Sequence, residues 1–194
     1  RGVAVTLFES IEGEPLNEYF ERVGSLPEWA ICKLACKVVD ALAALHARGI
    51  IHRGIEPSSV TLAQREDGGK RIVLGNLGRA RFLDDTSPEP PPAPGSPMPV
   101  PYFLAPECMM NPAASSTASD IWSMGVTLYF LATGNFPYFG LKHHRPDASD
   151  EFTALVAACL KPNPAERIPA TALRDGLDAL RQAAPEARAV DVGL

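Results

Sequence analysis

From Ile121 to Ala132 only Ser123 and Thr127 break a run of apolar residues. A helix that is apolar on nearly every face belongs inside a folded body. Twelve residues at about 1.5 Å each also fall short of the roughly 20 needed to cross a bilayer. Protein must therefore surround it. Thr117 and Asp120 precede the run at capping-box spacing and Gly134 follows it as a left-handed stop, so the pattern predicts a central buried helix with both ends marked. A second helix is predicted from Ile31, Leu34, Ala35, Val38, Leu42 and Leu45, which recur at intervals of three and four and so share one face. Ser25 and Glu28 supply its capping box, Pro27 falls in its first turn, and Gly49 closes it.

Shorter patterns fill in the rest. Gly2 to Phe8 is apolar and β-branched and reads as a buried strand, followed by a loop ending in Gly13 and Pro15. Leu16 to Arg22 predicts a short helix. Val60–Ala63 and Arg71–Leu74 are separated by Glu66-Asp-Gly-Gly, the signature of a small hairpin. Ala105–Met110 reads as a turn of helix, Asp150–Leu160 as a helix with one apolar face, and Pro169–Arg181 as a last helix opened by proline. Between Pro88 and Pro101 eight of fourteen residues are proline, too many for helix or sheet, so an extended or mobile loop is expected there. After Ala183 the tail has nothing to bury. The class is mainly α, α+β overall: a helical bundle around one buried helix.

The 194 residues are 46% hydrophobic, enough for one good-sized domain. A net charge of −5 provides no basic field, which argues against nucleic acid as the partner. No run is long enough for a membrane span, and the Arg-Gly-Val opening is no signal peptide, so a cytoplasmic, soluble setting is expected. The missing initiating Met reads as a cut from something longer. Cys32, Cys36, Cys108 and Cys159 form no C-x-x-C pair, and His46, His52, His143 and His144 form no ligand spacing. Reduced, buried thiols and no metal cage are expected.

Five landmarks then fall in order: His52-Arg-Gly-Ile-Glu-Pro-Ser-Ser59, Gly75-Asn-Leu-Gly78, Ala105-Pro-Glu107, Asp120-x-Trp-x-x-Gly125, and Arg167. Together they resemble the C-terminal lobe of a eukaryotic-type protein kinase. By that resemblance residues 1–183 are the C-lobe, with the last N-lobe strand and the hinge in 1–14, Glu9–Gly13 being the hinge itself. The proline-rich 84–101 falls in the activation segment, 184–194 is a tail, and the N-lobe is not in this chain. The resemblance further implies that Asp120 holds the backbone of the catalytic loop and that Glu107 pairs with Arg167. His52, Arg53, Leu77 and Gly78 would be retained architecture, and weak nucleotide contacts would come from Glu9, Ile11, Leu62 and Asn76. Arg53 reads equally as a phosphate receiver or as a hydrogen-bonded loop arginine.

The chemistry departs from that family. Kinase phosphoryl transfer uses a catalytic-loop Asp as base, an Asn and a second Asp on Mg²⁺, and lysines on the phosphates. Here the base position is Gly54, the neighbouring lysine position is Glu56, the Asn position is Ser59 and the metal Asp is Asn76. No base remains, and two neutral ligands should hold Mg²⁺ poorly. The expectation is a pseudokinase: a scaffold or allosteric regulator of a protein partner, such as an active kinase, needing no cofactor and binding ATP weakly or not at all. The alternatives are an unconventional serine/threonine kinase or nucleotidyl-transferase with Glu56 as its carboxylate, and an ATP-sensing switch. Pro91–Pro94 could dock an SH3 or WW groove, and Ser87-Pro88 and Ser96-Pro97 could be phosphorylated, although solvated disorder explains the same composition. Only a short stretch joins Gly140 to Asp150, less than the substrate-docking segment of many kinases.

Overall fold

The apolar run becomes a helix at the centre of the molecule. The computed structural model describes residues 9–65, 68–85 and 101–184. The expected strand up to Phe8, the proline-rich residues 86–100 and the tail 185–194 lie outside them. Within the described residues the order is β1 (Gly13–Pro15), α1 (Leu16–Val23), α2 (Glu28–His46), β2 (Ile50–Ile51), β3 (Val60–Gln64), β4 (Lys70–Leu74) and β5 (Arg81–Phe82). Then follow α3 (Pro106–Met110), α4 (Thr117–Thr133), α5 (Leu141–His144), α6 (Asp150–Cys159) and α7 (Ala170–Ala183). Helix α4 buries Ile121, Met124, Leu128 and Leu131, and α2 buries Ile31, Leu34, Val38 and Leu42 in the same cluster. Both polar interruptions are satisfied within the chain: Ser123 Oγ donates to the Phe103 carbonyl at 2.7 Å and Thr127 Oγ1 to Ser123 O at 2.8 Å.

Both predicted caps are corrected. Helix α4 starts from Ser116, whose hydroxyl and that of Ser119 form the capping box, rather than from Thr117 and Asp120. Asp120 is needed elsewhere, as its contacts below show. Helix α2 has Pro27 at its N-cap and no side-chain cap. Glu28 instead accepts from Ser149 N at 2.9 Å and Ser149 Oγ at 2.6 Å, which ties α2 to the start of α6. At the other end Gly134, at φ 71°, ends α4 in the left-handed conformation that glycine adopts without strain.

The hairpin β3–β4 is antiparallel, with Val60 opposite Leu74 and Gln64 opposite Lys70. A third strand, β1, lies along β3 where the sequence predicts only a loop, pairing Gly13 with Ala63 and Pro15 with Thr61. A Cβ on Gly13 would sit 2.5 Å from Leu62 O and 2.7 Å from Ala63 Cα, so glycine is what allows the two backbones to approach. A two-residue ribbon, β2 with β5, anchors the segment after the hairpin, extended by Leu83 N donating to Gly49 O at 2.7 Å.

Two glycines make opposite predictions. A Cβ at Gly125, in α4, would lie 2.5 Å from Cys159 Cβ, an atom fixed to the α6 backbone. A Cβ at Gly176, in α7, would lie 2.7 Å from Leu155 Cδ2, the tip of a half-buried side chain that can turn aside. Gly125→Ala should therefore destabilise by about 1–3 kcal/mol through overpacking. Gly176→Ala should be close to neutral, because alanine's helix preference of roughly 1 kcal/mol offsets the leucine's move. Urea midpoints of the two variants check the contrast.

Candidate functional site

Three elements meet at the carboxylate of Asp120, which is 1% exposed in the first turn of α4. Its Oδ1 accepts from Arg53 N at 2.8 Å, and its Oδ2 from His52 N at 2.8 Å. The Oδ2 atom also lies 2.9 Å from His46 Nε2 at the end of α2. Arg53 adopts φ 64°, a left-handed conformation that a non-glycine residue keeps only where its surroundings fix it. The two amide bonds to Asp120 provide that constraint.

The His52 ring is buried, and its tautomer follows from its partners. Gly54 N donates to Nδ1 at 3.2 Å, so the proton sits on Nε2, which donates to Gly75 O at 2.8 Å and links this loop to the one carrying Asn76. Burial pushes the imidazole below its ordinary value of 6.5, outweighing the Asp120 carboxylate and the Gly75 carbonyl, which pull it up. A histidine held neutral in this way contributes stability above about pH 6.5, and that contribution is lost as pH falls through the lower folded-state value. Urea midpoints measured from pH 8 down to pH 5 should therefore fall, and His52→Gln, with His46 left in place, should flatten the slope.

Gly54, Glu56, Ser59 and Asn76 lie on the two linked loops. At Gly54 a Cβ would meet only His52 Nδ1 at 3.8 Å and Cε1 at 3.9 Å, which is ordinary contact. Packing therefore does not demand glycine there. Glu56 and Ser59 cap one another around the 3-10 turn Pro57–Ser59. Ser59 Oγ accepts from Glu56 N at 3.2 Å and donates to Glu56 O at 2.7 Å, while the Glu56 carboxylate accepts from Ser58 Oγ at 2.5 Å. Asn76 is exposed at φ 60°. Leu77 is half-buried and Gly78 exposed in the 3-10 turn Leu77–Arg79, and Arg53 is half-buried.

The expected nucleotide contacts come together only in part. Glu9 is exposed and pairs with Arg71 at 3.6 Å, and Ile11 is half-buried. Leu62 is corrected. It is fully buried in the main cluster, because alternation along β3 turns Val60 and Leu62 to the core and Thr61 to the opposite face. A ligand over the sheet would meet Thr61 instead.

Glu107, in α3, and Arg167, ahead of α7, form a bidentate pair with both bonds at 2.7 Å. Arg167 also donates to Lys161 O, Ala118 O and Pro162 O, and its guanidinium lies 5.1 Å from the Trp122 ring centroid. Burial pushes the Glu107 carboxyl up, but Arg167 overcomes this and holds it below the ordinary carboxylate range. The sequence reading missed His46 and Trp122. His46 belongs to no recognisable spacing and Trp122 was read only as part of the Asp120-x-Trp-x-x-Gly125 landmark, with no role given to either; the fold brings them to Asp120 and Arg167.

All four cysteines are buried and unpaired, and burial pushes the thiols of Cys32 and Cys159 up to about 12. Among the described residues no helix is long and apolar enough to cross a membrane.

Comparison with known proteins decides the lineage. The family model described as "Protein kinase domain" matches residues 3–176. This chain belongs to the protein kinase family. It is 32% identical over 84% of its length to the serine/threonine-protein kinase RUNKEL of Arabidopsis thaliana, covering 12% of that protein. To the serine/threonine-protein kinase PkaA of Streptomyces coelicolor it is 31% identical over 88% of its length, covering 33% of that protein. To the serine/threonine-protein kinase ppk11 of Schizosaccharomyces pombe it is 29% identical over 82%, covering 53%. The kinase-family chain thus spans about half or less of the length of these curated relatives.

Proposed function

We propose that this chain is the C-terminal lobe of a kinase domain that binds and regulates a partner protein without transferring phosphate. One observation supports this above the others: the only acidic side chain among the degenerate loop positions, Glu56, is used with Ser59 to cap a turn, beside a Gly54 that has no side chain. A hydroxyl that both donates to and accepts from the Glu56 backbone has little left for a metal. Asn76 adds a neutral oxygen, whereas Mg²⁺ prefers carboxylate and phosphate oxygens. These residues do not fit the ion, so no step is assigned to it. Nucleotide binding is then weak and independent of magnesium. The contacts of Asp120, His52, Glu107 and Arg167 serve the shape of the lobe. Buried, unpaired thiols support a reducing, cytoplasmic setting.

A second reading, an active serine/threonine kinase or nucleotidyl-transferase, is favoured by the names of the relatives and would need Glu56 as its base. One experiment separates the two. Phosphate transfer from radiolabelled ATP to itself and to a mixed peptide substrate is measured for the intact protein and for Glu56→Gln, which keeps an acceptor for the cap. Background counts from both are expected. Transfer by the native protein that disappears in Glu56→Gln would establish the second reading.

A further inference from the structure

Beside the residues that hold Asp120, three helix ends leave a cavity of about 450 Å³, within the size range of small-molecule sites. Ala43 and Ala47 border it at the end of α2, Ala118 and Ile121 at the start of α4, and Ile168 and Ala170 where α7 begins. Its wall is therefore mostly apolar and built largely from small side chains. The polar groups on that wall are few, and they are not equally available. Arg167 borders the cavity, but its guanidinium is committed to both Glu107 oxygens and to three carbonyls. The hydroxyls of Thr117 and Thr171, also on the wall, can donate or accept by rotating and so select no ligand.

His46, the remaining polar residue on the wall, does select. Its Nε2 lies 2.9 Å from Asp120 Oδ2, a carboxylate oxygen that can only accept. In the neutral ring the proton therefore sits on Nε2, and Nδ1 presents a lone pair. Among the described residues no group pairs with Nδ1, and the atom is not sealed in protein, although the side chain as a whole is only 11% exposed. An acceptor fixed in orientation on an apolar wall favours an apolar molecule that brings a donor, and discriminates against its analogue without one. We propose that this cavity is a regulatory site for a small, largely apolar molecule carrying an N–H or O–H donor, with His46 Nδ1 as the acceptor. The route to the loop is short. His46 bonds Asp120, and Asp120 bonds the His52 and Arg53 amides, so a ligand that fixes the imidazole also bears on the loop those amides belong to. Gly54, Glu56, Ser59 and Asn76 are not among the residues bordering the cavity, so the site stands or falls independently of phosphate transfer.

The test is an NMR titration of the intact, isotopically labelled protein at pH 8. Indole is the probe, and benzothiophene, which has the same fused-ring shape and no donor, is the control. Indole should move the His46 Nδ1 resonance and the His52 and Arg53 amide signals along one saturating curve. Benzothiophene should bind about fivefold or more weakly, the effect of one lost hydrogen bond. Ala43→Leu, which puts a larger side chain into the cavity, should abolish the curve. The neighbouring Ala44→Leu, at an exposed position outside the cavity, should leave it as it is, and melting temperatures establish that both variants are folded. Absence of a saturating shift up to the solubility of indole overturns the proposal, and so does saturation that leaves Nδ1 or the two amides in place. Equal binding of benzothiophene, native binding by Ala43→Leu, or an equal loss in Ala44→Leu overturns it as well. The two ligands are compared on the native chain, so that comparison decides even where Ala43→Leu does not fold.

Discussion

Asp120→Ala should lower the unfolding free energy by about 3–5 kcal/mol, the range for breaking a buried charged network by removing one partner. The carboxylate accepts from two backbone amides and faces the His46 ring. Truncation strands both N–H groups in a place water does not reach, at about 1–3 kcal/mol for each buried donor left unmade. It also releases Arg53 from the constraint behind its left-handed backbone. Against a typical total of roughly 5–15 kcal/mol the loss is large, so the variant should melt early and the 50–60 loop should exchange its amide hydrogens faster than the rest. Asp120→Asn separates charge from geometry. Its carbonyl can still accept from Arg53 N, but its NH₂ then faces the His52 N–H, donor to donor, and about 1–3 kcal/mol should be lost. Urea denaturation with hydrogen exchange reads both. Asp178→Ala, which removes the surface pairs with Arg174 and Arg181 on α7, is the control and should shift the urea midpoint far less. An Asp120→Ala loss as small as that would remove Asp120 from its place as the organiser of the loop.

Asp120 also illustrates what the sequence could and could not convey. Its spacing from Thr117 satisfies the capping rule, so a local reading assigns it to the helix end. In the fold the serine pair one residue earlier does that work, and the carboxylate is drawn to donors that lie 67 and 68 residues away in sequence. Helices α1, α2, α4, α6 and α7 were legible because a helix in a packed domain writes its buried face into the sequence with a period near 3.6. The hairpin was legible because its turn residues are distinctive. Strand β1 was not, since three residues including a proline carry no periodic signal and their pairing depends on one glycine's clearance from β3. The facing of Leu62 was misjudged by a single position, which in a strand is the difference between the core and the open face.

At the site, the identities of Gly54, Glu56, Ser59 and Asn76 were readable by motif alone. The bonding between Glu56 and Ser59 was not. A Glu-Pro-x-Ser string is a plausible capping turn, and that local signal competes with the family alignment for the same residues. The structure carries both at once: the loop is anchored to Asp120 through two amides while the Ser59 hydroxyl bonds the Glu56 backbone.

Breaking the Glu107–Arg167 pair from either side should be nearly as damaging as losing Asp120, and the two sides should differ. Glu107→Ala leaves a guanidinium with a 0% exposed side chain and no counter-charge, for which about 3–5 kcal/mol is expected. Arg167→Ala removes the charge but also its donors to the carbonyls of Lys161, Ala118 and Pro162, and it empties the space over Trp122. Arg167→Lys should recover little of this, because an ammonium cannot reproduce a fork that binds two carboxylate oxygens and several carbonyls together. The double variant Glu107→Ala with Arg167→Ala should lose clearly less than the sum of the singles, since the buried unpaired charge that dominates one single is gone. The pair should also show in acid. Glu107 sits below the ordinary carboxylate value of 4.5, so its contribution is complete above that pH and is lost as pH falls through the folded value. Urea midpoints from pH 6 down to pH 3 should therefore drop more steeply in the native chain than in Glu107→Ala. Parallel slopes would mean that the pair contributes nothing through its charge.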